Sequence, residues 1–139
     1  MKETVKCFDP ELEFYTKERC FIAELSNTPD DPAVSIARAR VAPGVTTRRH
    51  RVRETAERYV ILEGRGRVEI GSLPPQEVGP GDVVLIPPSC PQRIANTGAG
   101  DLIFLAVCSP RFTNEAYEDI DDEPDSGGTA ALSPDVLSA

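Results

Sequence analysis

Imidazole is the scarcest resource in this sequence: its 139 residues include one histidine, His50. Any site that needs two imidazoles from one chain is thereby excluded. Tryptophan is absent, and five Phe with three Tyr are the only aromatics, too few for a platform that stacks single-stranded nucleic acid. The four cysteines (Cys7, Cys20, Cys90 and Cys108) lie far apart with no CxxC pair, which removes the zinc-finger class. They read as buried apolar fillers of a reducing compartment. No apolar run approaches the ~18 residues of a membrane span. The opening MKETVKCFDP also lacks the apolar stretch of a secretory signal. A cytoplasmic protein is expected, with neither membrane nor nucleic acid as partner.

The chain has 40% hydrophobic and 27% charged residues, the balance of a globular domain with one core. Its net charge of −8 is unevenly placed. Residues 118–139 hold seven acids and no base, whereas residues 38–67 carry nine arginines against three glutamates. The composition divides the chain into a folded body, residues 1–117, and an acidic tail, residues 118–139. The tail is expected to be largely flexible, because it offers little apolar surface to offset its ordering entropy. Its end, SPDVLSA, has the Ser-Pro signal of a short capped turn.

Short runs rich in Val, Ile, Leu and Tyr dominate the body: 19–25, 33–41, 58–62, 66–70, 83–86 and 102–107. Between them lie breaks such as Pro43-Gly44, Gly64-Arg65-Gly66, Gly79-Pro80-Gly81 and Asn96 to Gly100. Helical spacing is confined to the neighbourhood of 113–117. The pattern predicts an all-β sandwich or barrel.

Two stretches carry chemistry. The first reads Gly44-VTTRR-His50-R-Val52-RETA-Glu57-RYVILE-Gly64; the second reads Gly81-DVVLI-Pro87-P-Ser89-CP-Gln92-RIA-Asn96. In order and spacing they resemble the two motifs of the cupin superfamily, G-x5-H-x-H-x3–4-E-x6-G and G-x5-P-x-G-x2-H-x3-N. Val52 stands for the second histidine of the first motif. Ser89 and Gln92 stand for the glycine and histidine of the second. The resemblance implies a single-domain jelly-roll β-barrel, the double-stranded β-helix of small bacterial cupins. It also implies a homodimer paired through strands near the termini. Residues 5–25, with Phe8, Phe14, Tyr15, Cys20, Phe21 and Ile22, could cover an apolar outer face at Val60 and Leu62.

Alternation along a strand puts His50 and Val52 on one face, and Glu57, Tyr59 and Ile61 on another that a closed barrel turns inward. By the resemblance, His50, Glu57 and Gln92 are the candidate metal ligands. The cofactor would be a divalent ion such as iron, manganese, nickel or zinc. Glu57 and Tyr59 are the candidate catalytic pair, Glu57 as ligand or general base and Tyr59 as hydrogen-bond donor. Cys90 and Cys108 are weaker ligand candidates. Without a metal, a buried Glu57 would have to find an arginine or stay protonated. Arg48 shares the parity of His50 and is placed at the cavity mouth, while Arg49, Arg51 and Arg53 face outward. Arg38 and Arg40 share one face, either binding an anion inside the barrel or forming a charge row outside it.

Two functions follow from the resemblance. One is a divalent-metal-dependent enzyme, dioxygenase- or isomerase-like, acting on a small anionic compound in the barrel. The other is a metal-free or weakly metal-binding cupin that binds or senses a small ligand. An interaction protein using the outer strands and acidic tail is a third reading.

Overall fold

Along the chain the alternating runs become strands, and the computed structural model describes residues 1–124. The strands are β1 (Phe14–Tyr15), β2 (Phe21–Ser26), β3 (Ser35–Val41), β4 (His50–Val52), β5 (Ala56–Glu63), β6 (Gly66–Ile70), β7 (Gln76–Val78), β8 (Val83–Ile86), β9 (Gln92–Asn96), β10 (Leu102–Ser109) and β11 (Tyr117–Asp119). All the pairings described are antiparallel. One sheet runs β1-β2-β3-β10-β5-β8 and the other β11-β4-β9-β6-β7. This is the jelly-roll barrel that the motifs imply. Among the described residues, no helix is long and apolar enough to cross a membrane.

Period-two burial explains why these segments are strands. In β3, Ser35, Ala37, Ala39 and Val41 are buried while Ile36, Arg38 and Arg40 are partly exposed. In β5, Glu57, Tyr59 and Ile61 are buried, with Ala56, Arg58 and Val60 partly exposed and Leu62 exposed between and beside them. Their inward faces join Ile22, Val68, Ile70, Ile86, Ile94, Leu102, Phe104 and Ala106 in the main core. A smaller cluster of Val52, Cys108 and Phe112 receives Ala116 and Tyr117. Gly64, at φ +86°, turns β5 toward β6 where a Cβ would stand 2.5 Å from the Asp101 carbonyl oxygen. Only glycine suits that position. Asn96 ends the second motif in a structural role. Its amide nitrogen donates to the Val41 and Gly100 carbonyls at 2.8 Å, and its oxygen accepts from the Gly98 N–H at 2.9 Å.

The arginine row of β3 faces outward. Glu13 accepts from Arg38 at 3.3 Å and from Arg40 at 2.6 Å, while Arg40 also lies over the Phe21 ring. Cys20 and Ile22, counted above toward a dimer face, are buried in the chain's own core. Helical spacing near 113–117 yields one 3-10 turn, Asn114–Ala116. The ordered body also extends past residue 117. Strand β11 pairs with β4 through Asp119, so the first part of the acidic segment belongs to the sheet. Residues 125–139, including SPDVLSA, lie outside the described residues.

Candidate functional site

His50 and Val52 share one face of β4, and Gln92 on β9 lies directly opposite His50. The His50 ring has no solvent exposure. Its Nδ1 lies 3.0 Å from the Arg48 carbonyl. A carbonyl can only accept, so Nδ1 carries the hydrogen and Nε2 is the bare acceptor. That Nε2 finds no hydrogen-bond partner among the described residues. The Tyr117 ring stacks on the imidazole with centroids 5.1 Å apart. Burial pulls the His50 pKa from 6.5 down to about 4, against opposing pulls from the Arg48 carbonyl and the Asp119 charge. The ring is therefore neutral near pH 7.

Glu57 enters the same interior from β5, opposite Cys108 on β10. It is 1% exposed, and neither carboxyl oxygen reaches hydrogen-bond geometry with a described residue. Burial raises its pKa to about 8, with the nearby Gln92 and Cys108 side chains pulling the other way. At neutral pH Glu57 is thus mostly a carboxylic acid. Tyr59, two residues on and on the same face, packs its ring 4.5 Å from that of Phe104. Its hydroxyl donates to Gln92 Oε1. With one lone pair of its oxygen so engaged, Gln92 keeps the second lone pair and its N–H groups to offer.

A second acid joins them, one that motif reasoning passed over. Glu18 sits in the tight turn between β1 and β2, fully buried, with Oε2 3.9 Å from His50 Nδ1. Neither of its oxygens has a hydrogen-bond partner among the described residues. Burial raises its pKa well above 4.5, and the charges of Glu57 and Asp119 add to the rise. A signal for Glu18 did exist. Thr16, Glu18, Cys20 and Ile22 alternate with more exposed residues, so the parity of the apolar pair runs back to the acid.

The donor set fits a divalent ion poorly. Gln92 would coordinate through an oxygen that already accepts from Tyr59. Val52 supplies no donor and packs with Cys108 and Phe112. Among the described residues, no three His, Cys, Asp or Glu side chains are placed to hold a metal together. Cys108 faces Glu57, and burial raises its thiol pKa. Cys90 is partly exposed and contacts the Pro91 carbonyl. Neither cysteine completes a ligand set.

The arginines next to His50 tie down the acidic segment. Arg48 is 4% exposed; its Nε donates to Asp119 at 2.7 Å, and its Nη2 donates to the Glu123 carbonyl at 2.6 Å. The Arg49 N–H donates to Asp121 at 2.7 Å, and Arg51 pairs with Glu118. Segment 117–124 therefore lies against the strand that carries His50, with Tyr117 on the imidazole itself.

Comparison with known proteins points one way. The Cupin_2 family, described as the cupin domain, matches residues 37–108. A Methanocaldococcus jannaschii protein, the uncharacterized protein MJ1618, is 34% identical over 113 residues, covering 80% of this chain and 90% of its own. A variant of Streptomyces Pac13 solved with uridine superposes with a TM-score of 0.71 at 15% identity, covering 89% of this chain and 97% of that one. A further Pac13 structure is described as a nucleoside dehydratase. A predicted oxalate decarboxylase of Thermotoga maritima gives a TM-score of 0.60 at 29% identity over 66% of this chain and 80% of its own.

Proposed function

Since this chain belongs to the Cupin_2 family, we propose that its barrel binds one small, uncharged, hydroxyl-bearing molecule and exchanges protons with it. The observation that carries this reading is a set of buried polar atoms without a hydrogen-bond partner among the described residues: His50 Nε2 and both oxygens of Glu57 and of Glu18. A buried polar group without a partner costs about 1–3 kcal/mol, and natural structures rarely keep several together without a ligand to satisfy them.

The chemistry follows from the protonation states. Glu57, an acid at neutral pH, has a proton to give to a ligand oxygen. His50 Nε2, a bare lone pair, accepts one from a ligand hydroxyl or carbon. Tyr59 fixes Gln92, whose N–H groups help position the ligand or Glu57. A paired proton donor and acceptor of this kind serve isomerisation or dehydration, and the Pac13 likeness supports the second. An anionic ligand is disfavoured. Arg48, the buried arginine among the described residues, is already engaged by Asp119, and acids surround the site.

The test is calorimetric titration of the full chain, in chelator, with uridine and D-ribose as uncharged probes and uridine monophosphate as the anionic one. The reading expects the uncharged probes to bind and Glu57→Gln and His50→Ala to lose them. Binding of the anion alone, or binding only after a divalent ion is restored, would overturn it. The second outcome would return His50, Glu57 and Gln92 to the role of metal ligands.

A further inference from the structure

The turn between β1 and β2 is built to hold one acid inside the barrel. Thr16 N–H donates to the Cys20 carbonyl at 2.9 Å, and Arg19 N–H donates to the Thr16 carbonyl at 3.1 Å. The Thr16 hydroxyl donates to the Cys20 carbonyl at 3.0 Å and accepts from the Glu18 N–H at 3.2 Å. Arg19 takes a left-handed backbone, φ 74°, which non-glycine residues seldom adopt. From outside the turn, the Arg48 N–H donates to the Glu18 carbonyl at 3.1 Å, tying residue 18 to the segment that leads into β4. The backbone of Glu18 is thus held on both its N–H and its carbonyl, while its carboxyl oxygens have no hydrogen-bond partner among the described residues.

That contrast is informative. Lys17 and Arg19 flank Glu18 and are partly exposed, so an outward turn would solvate all three charged side chains. A structural acid at full burial is normally paired with a cation or with N–H donors. Glu18 instead presents two open oxygens, one of them 3.9 Å from His50 Nδ1.

We propose that Glu18 is a binding residue of the barrel site, contacting the bound molecule's hydroxyl groups alongside His50 and Glu57. The inference rests on the small-molecule reading above and deepens it. Two carboxyls and one imidazole nitrogen, each able to meet a hydroxyl, select a molecule with several neighbouring hydroxyls, such as a sugar or the ribose of a nucleoside. A single carbonyl or an apolar compound would leave at least one buried acid unsatisfied.

Three full-length proteins test it: wild type, Glu18→Met and Glu18→Asp. Thermal unfolding is read without ligand, and uridine and D-ribose binding are read by calorimetry in chelator. Glu18→Met should raise Tm, by about 3 °C or more, because an apolar isostere removes two unsatisfied oxygens. It should also weaken wild-type probe binding at least tenfold, with Glu18→Asp recovering part of the loss. A fall in Tm for Glu18→Met would make Glu18 a structural residue and overturn the inference, as would unchanged probe affinity. A wild type that binds neither probe overturns the hydroxyl-ligand reading itself. The Tm of Glu18→Met then still decides whether the acid is unsatisfied.

Discussion

His50 on β4 and Gln92 on β9 stand directly opposite one another across a single antiparallel pair, both inside the barrel. The pairing brings together two groups that are 42 residues apart in sequence, and it leaves them with different tasks. Gln92 is held by the Tyr59 hydroxyl, while His50 keeps an open nitrogen. The amide oxygen thus serves the protein's internal network, and the imidazole Nε2 has no hydrogen-bond partner among the described residues.

Replacing Tyr59 by Phe tests that division. The variant removes the donor to Gln92 Oε1 and leaves a buried acceptor unmet. Denaturant unfolding should show a loss of about 1–3 kcal/mol. Probe binding should weaken as well, because Gln92 is then free to rotate. Unchanged stability would mean that the contact does not hold Gln92.

Stability should depend on pH in a specific way. Glu57 is raised from 4.5 to about 8, so its contribution is full below pH 4.5 and is lost as pH rises toward 8. His50 is lowered from 6.5 to about 4, so its contribution is present above pH 6.5 and is lost as pH falls toward 4. The two offset each other between pH 4.5 and 6.5, and from 6.5 to 8 the Glu57 trend stands alone of the pair. Glu18, also raised, acts in the same direction as Glu57. Over that upper window the wild type should lose about 2 kcal/mol more than Glu57→Gln. Urea unfolding at pH 6.5 and 8 measures the difference, and parallel slopes for the two proteins would contradict the protonated Glu57.

The strap formed by residues 117–124 should control access to His50. Asp119 accepts from both Nε and Nη2 of Arg48, at 2.7 and 3.3 Å. Asp119→Asn weakens this charge-assisted pair beside the stacked Tyr117. Carbethoxylation of the single histidine, followed by absorbance, should then run several-fold faster than in the wild type. An unchanged rate would mean that the strap does not shield the ring.

Position 52 tests the inward face of β4. Val52 is 2% exposed and shares the His50 face. Val52→His would place a second imidazole beside the first and should give the barrel a calorimetrically detectable affinity for zinc or nickel that exceeds the wild type's. Equal affinities would count against that placement.

The sequence made the architecture legible where alternation was long. Strands β6 and β8 match their apolar runs residue for residue, and β3, β5 and β10 differ only at their ends. The short strands β1, β7 and β11 left no run to read, since two or three residues show no period. Strand β11 was further masked by its acids, whose partners Arg48, just before β4, and Arg51, on β4, lie far off in sequence. The motifs placed His50, Glu57 and Gln92, but spacing alone could not reveal that Tyr59 occupies the Gln92 oxygen. Glu18 lay outside both motifs, and a charged residue between Lys17 and Arg19 reads as solvated surface until the turn is seen to point it inward.

The most direct test uses the fact that the chain has one histidine, which gives one pair of ring-nitrogen resonances. In chelator, 15N-labelled protein titrated with uridine or D-ribose should show the Nε2 signal of His50 shifting as it accepts a hydrogen bond. The Nδ1 signal, held by the Arg48 carbonyl, should stay in place. An Nε2 signal that ignores both probes and moves only when zinc is added would contradict the account.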